Sequence, residues 1–345
     1  MKLGIIGLPG SGKSTLFEAL TKIVTDDMAP KHEDRLGTIK VPDKRVDQLS
    51  SMYNPRKTIY AQVEYLLPYI TMQKPGQQRD ETVWTNVRTC DALIHVLRNF
   101  KGSGDEQAVP LADFSSFNEE MIIADLLVVE KRIERLGLDK KRGKNVDPEE
   151  VRLLESCRET LEQEKPLRSN PELAAAPQLK GYTFLSGRPM LVIFNNEDDD
   201  QSMPESENSF AYEKCLALRV RLEHELSRME PEEAQEYLAE FDITTSAMDR
   251  MISLSYELLG LISFFTVGPD EVRAWTINKD TLAVDAAEVI HSDIKKGFIR
   301  AEVVAYDDLM EAGSYKEARQ RGTTRLEGKT YPVQDGDIIE FRFNV

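Results

Sequence analysis

The chain has 345 residues, a formal net charge of −16 and 41% hydrophobic residues, a length beyond one ordinary core that predicts two or three domains. None of its apolar runs is long and uncharged enough to span a bilayer or serve as a signal-peptide core, so no membrane partner and a cytoplasmic location are expected. Cys90, Cys157 and Cys215 lie far apart with no C-x-x-C pair, the pattern of reduced thiols rather than of a disulfide framework or zinc site, and the acidic balance argues against indiscriminate nucleic-acid binding, so no DNA partner is expected.

The first apolar run, residues 3–6, leads directly into Gly7-Leu8-Pro9-Gly10-Ser11-Gly12-Lys13-Ser14-Thr15. This spells G-x-x-x-x-G-K-[ST] between a strand and a helix, a phosphate-binding loop in its required context. Such a loop turns successive amide N–H groups inward on a polyphosphate, and its lysine reaches the outer phosphates. Pro9, Gly10, Ser11, Gly12, Lys13, Ser14 and Thr15 are therefore expected around a nucleoside triphosphate or diphosphate, with the Ser14 oxygen on Mg2+. A lysine aimed into a nest of amides has no structural role of comparable weight, so Lys13 carries this reading.

Further short apolar runs at 63–67, 92–97 and 190–194 keep the rhythm of a parallel α/β sheet. Between the last two, Ile122, Leu126, Val129, Ile133 and Leu136 recur at heptad steps. Gly137 and Gly143 bracket a charged turn, and Pro148 opens a second helix carrying Val151, Leu154 and Leu161, so the insertion reads as a helical hairpin. Residues 167–182 read as a return linker, and 205–261 as mainly helical and acidic. From residue 264 the character changes to short strand-like runs at 272–277 and 299–304 with a helix around 286–294. Asp335-Gly336 signals a hairpin turn. After it Ile339, Phe341, Phe343 and Val345 alternate with polar residues, predicting a strand with one buried face.

Phe264-Phe265-Thr266-Val267-Gly268, Glu271-Val272-Arg273-Ala274-Trp275-Thr276, Gly297-Phe298-Ile299-Arg300-Ala301-Glu302 and Asp335-Gly336-Asp337 resemble the C-terminal TGS domain of the YchF/Obg-like ATPases. The resemblance extends through the phosphate loop, Val41-Pro42-Asp43, Cys90-Asp91-Ala92-Leu93-Ile94-His95-Val96, Glu130-Lys131-Arg132 and Asn195. It implies an α/β, Ras-like P-loop domain at 1–114 and 183–263, a coiled-coil helical hairpin insertion with its return linker at 115–182, and a ubiquitin-like β-grasp (TGS) domain at 264–345. It also implies binding of ATP in preference to GTP, slow hydrolysis, and a ribosome or ribosomal RNA as partner.

Departures from the family pattern bear on function. Gly10 replaces an asparagine associated with potassium-assisted activation. Lys31 stands where a switch threonine caps magnesium, and Leu67 and Ile70 where an Asp and a Gly sense the third phosphate. Pro68, Pro75, Gln77 and Gln78 make a poor switch helix. The family's adenine-reading Asn-x-x-Glu is here Asn195-Asn196-Glu197-Asp198. Its last residue is the shorter acid of guanine readers, although Glu197 could serve if the loop shifts by one position, which leaves adenine and guanine both open.

Other residues carry competing readings. His95 matches a histidine suspected of assisting hydrolysis in the family, whereas a lone histidine in an apolar strand is more often a hydrogen-bonded core residue. His32, His224 and His291 lack metal-ligand spacing and read as surface or capping residues. Lys131, Arg132, Arg135, Lys140, Lys141, Arg142 and Lys144 outnumber Glu134 and Asp139 at the hairpin tip, which suits either a solvated helix end or an RNA contact. Trp275 beside Arg273 could stack on a base, but core packing is the commoner role. A slow ATPase or GTPase is expected; a non-hydrolysing nucleotide sensor and a small-molecule kinase are the rivals.

Overall fold

The computed structural model of the chain describes residues 1–22, 33–69, 81–102, 107–204, 210–240 and 246–344. In chain order its elements are β1 (Lys2–Ile6), α1 (Lys13–Thr21), β2 (Arg35–Lys40), α2 (Lys44–Tyr53), β3 (Lys57–Ile59), β4 (Gln62–Leu67), α3 (Glu81–Val87), β5 (Ala92–Asn99), α4 (Pro110–Lys141), α5 (Pro148–Glu162), α6 (Pro171–Ala174) and β6 (Met190–Asn196). There follow β7 (Lys214–Leu218), α7 (Val220–Ser227), α8 (Pro231–Glu240), α9 (Ala247–Leu258), β8 (Leu261–Val267), β9 (Glu271–Asn278), α10 (Ala283–Ile290), α11 (Ser292–Lys296), β10 (Phe298–Ala305), α12 (Tyr306–Ala312), α13 (Tyr315–Arg321), β11 (Arg325–Glu327) and β12 (Asp337–Phe343). Among the described residues no helix is long and apolar enough to cross a membrane.

The chain divides into two compact units, one of residues 1–38 and 64–248, the other of 39–63 and 249–345. A six-stranded sheet ordered β2-β4-β1-β5-β6-β7 has parallel pairing from β4 through β7. Every residue of β6 is buried, as expected of a parallel strand covered on both faces, which is why residues 190–194 run apolar without alternation before Asn195 and Asn196. The stretch 205–261, expected to be mainly helical, carries α7, α8 and α9; what the sequence did not show is β7, an edge strand of five residues whose short Lys-Cys-Leu-Ala-Leu run carries little β-signal.

The hairpin forms, but α4 begins at Pro110, with proline in the first turn, where its missing N–H costs nothing. The first turns of α4 put Phe114, Phe117 and Met121 into the core with Phe194 and Phe210. Farther along, Ile122, Val129 and Leu136 pack on Leu154, Cys157 and Leu161 of α5, so the heptad residues serve as a seam. Asp125 anchors the base: its carboxylate accepts from Arg88 at 2.9 Å and from the backbone N–H groups of Leu185 and Ser186 at 3.0 and 2.7 Å. Burial raises its pKa, and the Arg88 guanidinium opposes that rise. Arg168 and Glu213 form a second buried pair at 2.6 Å, each side chain 3% exposed.

The other unit holds a sheet ordered β11-β10-β12-β8-β9-β3. Its β8–β9 and β10–β12 pairs are antiparallel, whereas β12–β8 is parallel. The expected boundary at 264 differs from this division, because β3 pairs in parallel with β9, Lys57 opposite Glu271. Arg45 on α2 ties that segment further, pairing with Asp335 at 2.8 Å while its guanidinium lies 5.0 Å from the centre of the Phe265 ring. The Asp335-Gly336 turn is not the expected hairpin: β12 pairs with β10 and β8, and the Asp335 carboxylate instead accepts from Ser263 N–H at 2.9 Å. The final strand's alternation holds at Ile339, which is buried, but fails at Phe343, which is 43% exposed.

Candidate nucleotide site

β1 ends at Ile6, and Gly7 turns the chain at φ +147°; a Cβ there would lie 2.4 Å from the Val96 carbonyl oxygen, so only glycine fits against β5. Gly12, at φ +97°, is equally confined, since its Cβ would meet Asn195 Nδ2 at 2.3 Å. Between them Ser11 N–H donates to Leu8 O at 3.2 Å, and Leu16 N–H to Gly12 O at 2.9 Å starts α1. No side chain caps α1 and no acidic residue occupies its first turn, leaving orphan amides and a positive dipole end for an anion. Lys13 Nζ donates to Leu8 O at 2.7 Å, which folds the ammonium over the loop. Ser11 is buried, Thr15 half-buried, and Pro9, Gly10 and Ser14 are exposed.

Asn195 joins this loop to the far end of the sheet. Its Nδ2 donates to Ser11 O at 3.0 Å, and its Oδ1 accepts from Val220 N–H, at the start of α7, at 3.2 Å. Asn196 turns the other way: Asn99 Nδ2 donates to its Oδ1 at 2.8 Å, and its own Nδ2 donates to Ser202 O at 2.8 Å. Glu197 accepts from Lys101 N–H at 2.8 Å. Asp198 keeps a half-exposed carboxylate 3.7 Å from Arg221 Nε, and its carbonyl accepts from Arg219 at 3.3 Å. Asn99, Arg219 and Arg221 carry no sequence motif that marked them in advance; only the strand order brings them here.

His95 lies in register with Ile6 and Val192 and is wholly buried. Its ring centre is 4.6 Å from that of Phe117 and 5.7 Å from that of Phe114. The structure thus sets the histidine in the core under α4 rather than among the exposed loop residues. Leu67, which stands where the family pattern has a switch aspartate, is 5% exposed. Lys31, His32, Ile70, Pro75, Gln77 and Gln78 lie outside the described residues. Nearby, the Asp34 carboxylate accepts from Tyr69 N–H at 2.8 Å, and Glu18 on α1 meets Arg35 at 3.3 Å and His224 at 3.5 Å.

At the hairpin tip Arg132 is engaged by Glu150 at 2.9 Å and Lys144 by Asp139 at 2.8 Å, while Lys140, Lys141 and Arg142 are exposed. Trp275 donates to Thr266 Oγ1 at 3.0 Å and carries the Arg273 guanidinium 3.8 Å from its ring centre, so that ring face is covered. His291 caps α11, accepting from Asp293 N–H at 3.2 Å. Burial pushes the Cys90 thiol up to about 11 and the Cys157 thiol up to about 12, which keeps both protonated and unreactive.

Residues 261–344 match the YchF-GTPase_C family model, described as "Protein of unknown function (DUF933)". The chain is 36% identical over 364 residues to the Ribosome-binding ATPase YchF of Bacillus subtilis, covering 99% of each. It is 34% identical over 369 residues to the protein of that name from Mycoplasma genitalium, covering 100% of both. Among solved structures, the Schizosaccharomyces pombe YchF GTPase superposes with a TM-score of 0.84 at 28% identity, covering 99% of this chain and 97% of that one. A GTP binding protein from Pyrococcus horikoshii OT3 matches over 100% of both chains with a TM-score of 0.61 at 17% identity, a likeness of fold alone.

Proposed function

The chain belongs to the YchF family, and we propose that it binds ATP or GTP at the loop 7–15, hydrolyses it slowly, and uses the bound state to regulate a ribosome-linked step in the cytoplasm. The observation that carries the reading is the loop itself: glycines held at positive φ against β5 and Asn195, uncapped amides at the start of α1, and Lys13 poised over them. Within that frame residues 264–345 act as the TGS β-grasp domain and the α4–α5 hairpin as a coiled-coil arm, and the named relatives suggest a ribosome as the partner.

A magnesium ion suits the donors present. Ser14 exposes a hard oxygen on the first turn of α1, and the described residues hold no cluster of three His, Cys, Asp or Glu that would cage a metal by itself. That pattern fits an ion taken up with the phosphates, where it would neutralise charge. This chain's own groups do the rest: loop amides and Lys13 hold the phosphates, Ser14 positions the ion, and Asn195 keeps loop and base-side strand in register, so that catalysis is mainly positioning and charge stabilisation.

The decisive experiment is calorimetry with Lys13→Ala. Loss of a charge-assisted contact should weaken triphosphate binding by at least about 2 kcal/mol; unchanged affinity in a folded variant removes the reading. A second reading, a nucleotide sensor without turnover, is favoured by one observation, the buried apolar Leu67 at the exit of β4. Multiple turnover by the wild-type chain, abolished in Lys13→Ala, excludes it.

A further inference from the structure

We infer that the outward flank of the α4–α5 hairpin is a docking groove for a third helix, a basic amphipathic helix supplied by a protein partner. This surface shares no residue with the loop 7–15, and the inference stands whether or not that loop holds a nucleotide.

α4 carries two apolar stripes. The inner one, Ile122, Leu126, Val129, Ile133 and Leu136, packs on α5. Ile123 and Leu127 each follow an inner residue and so lie about 100° farther round the helix. With Leu138 they form the outer stripe, and the three are 50%, 58% and 46% exposed. Successive spacings of four and eleven residues keep them on one side of the helix, because both are close to whole turns. A lone exposed leucine needs no explanation, whereas a row of three along about 22 Å of one helix side does. Beside the row lies a groove of about 570 Å³, lined by Leu127, Glu130, Lys131, Ile133 and Glu134 of α4 and Arg158 of α5. Both helices wall it, so a third helix laid there would complete a three-stranded coil, with the outer stripe as its seam.

Charge decides what kind of helix fits. Arg158 is held by Glu155 and Glu162 of its own helix, so its positive charge is met within α5. Of the other charged groups lining the groove, Glu130 and Glu134 outnumber Lys131, and both glutamates are exposed. RNA phosphates would be repelled there. A second copy seated by the same stripe would set these carboxylates against their own kind, which disfavours self-association. A helix with leucine or isoleucine at steps of four and three, and lysine or arginine on the flanking positions, meets both the apolar row and the carboxylates. That is the pattern by which amphipathic helices enter grooves.

The test titrates the full chain with a synthetic peptide of about 20 residues, leucines at steps of four and three flanked by lysines, and follows binding by calorimetry and induced helicity. Two companions control for the acidic balance of the chain: a scrambled peptide of equal composition, and one with glutamates in place of the lysines. Wild type should bind the lysine peptide at least about tenfold tighter than the scrambled one. Ile123→Ser combined with Leu127→Ser should weaken that binding at least about tenfold. Glu130→Lys combined with Glu134→Lys should reverse the preference toward the glutamate peptide. All four side chains are exposed, so the fold is kept; thermal melting checks it, and the milder Leu127→Ala replaces the serine pair if that pair melts early. Lysine-peptide binding unchanged in either double variant, or matched by the scrambled peptide, overturns the inference. A wild-type dimer in sedimentation that the serine pair dissolves overturns it in favour of a second copy, and binding of an RNA oligonucleotide lost in that pair overturns it in favour of RNA.

Discussion

Gly12 and Gly10 share a positive φ, yet their surroundings separate them. At Gly12 the backbone stands at φ +97° and a Cβ would sit 2.3 Å from Asn195 Nδ2, whereas at Gly10, φ +78°, nothing lies within 4 Å of a Cβ. Gly12→Ala therefore pushes Asn195 off the Ser11 carbonyl, leaving buried polar groups unpaired at about 1–3 kcal/mol on top of the backbone strain. Gly10→Asn meets open space, and asparagine tolerates the left-handed region, so its cost should stay near or below about 1 kcal/mol. Urea unfolding of the two variants checks the contrast; equal destabilisation would show that the Asn195 contact does not matter. The phosphate loop was legible in sequence because its chemistry is contiguous. The bridging role of Asn195 was not, since its partners lie 184 and 25 residues away and only folding brings them together.

The strands that escaped sequence reading show why local pattern runs out. β3 is Lys57-Thr58-Ile59, too short and too polar to register as a strand, and it exists because β9 offers an edge to pair with. His95 was ambiguous for the opposite reason: its strand was plain, but which aromatic rings faced it depends on α4, an insertion that starts fifteen residues later. β10 and β12 were legible as strands, yet Glu302, placed opposite Glu340, gave no hint of being buried at 2% exposure. Burial would raise its pKa, but Arg319 and Arg342 outweigh that and hold the carboxyl below the usual glutamate range. A folded carboxyl that binds its proton less tightly than the unfolded one contributes stability above the unfolded value of about 4.3 and loses it as pH falls through the folded value. The stability difference between wild type and Glu302→Gln should therefore narrow as pH is lowered from about 6 to 3. Denaturation midpoints at several pH values measure it, and a difference independent of pH refutes the assignment.

At the scale of the molecule, an acidic chain of net charge −16 could meet the ribosomal partner proposed above only through a local exception, and the hairpin tip is the candidate for it. α4 runs 32 residues, about 48 Å at 1.5 Å per residue, and only its first turns are buried in the core with Phe194 and Phe210. At its far end Lys140, Lys141 and Arg142 are exposed. Asp139 is engaged by Lys144, which holds its carboxyl below the usual range, so that carboxylate is already paired. Binding to phosphates through such a cluster releases condensed counterions, and its strength falls steeply with salt. Reversing Lys140, Lys141 and Arg142 together to glutamate should abolish co-sedimentation with ribosomes, while nucleotide affinity stays unchanged because the phosphate loop lies at the β1–α1 junction and shares no residue with the tip. The same wild-type association should weaken across a rise from about 50 to 200 mM salt. Co-sedimentation that survives both the reversal and the salt would make the tip a solvated helix end, and would move the search for the ribosome contact to the surface of the C-terminal unit.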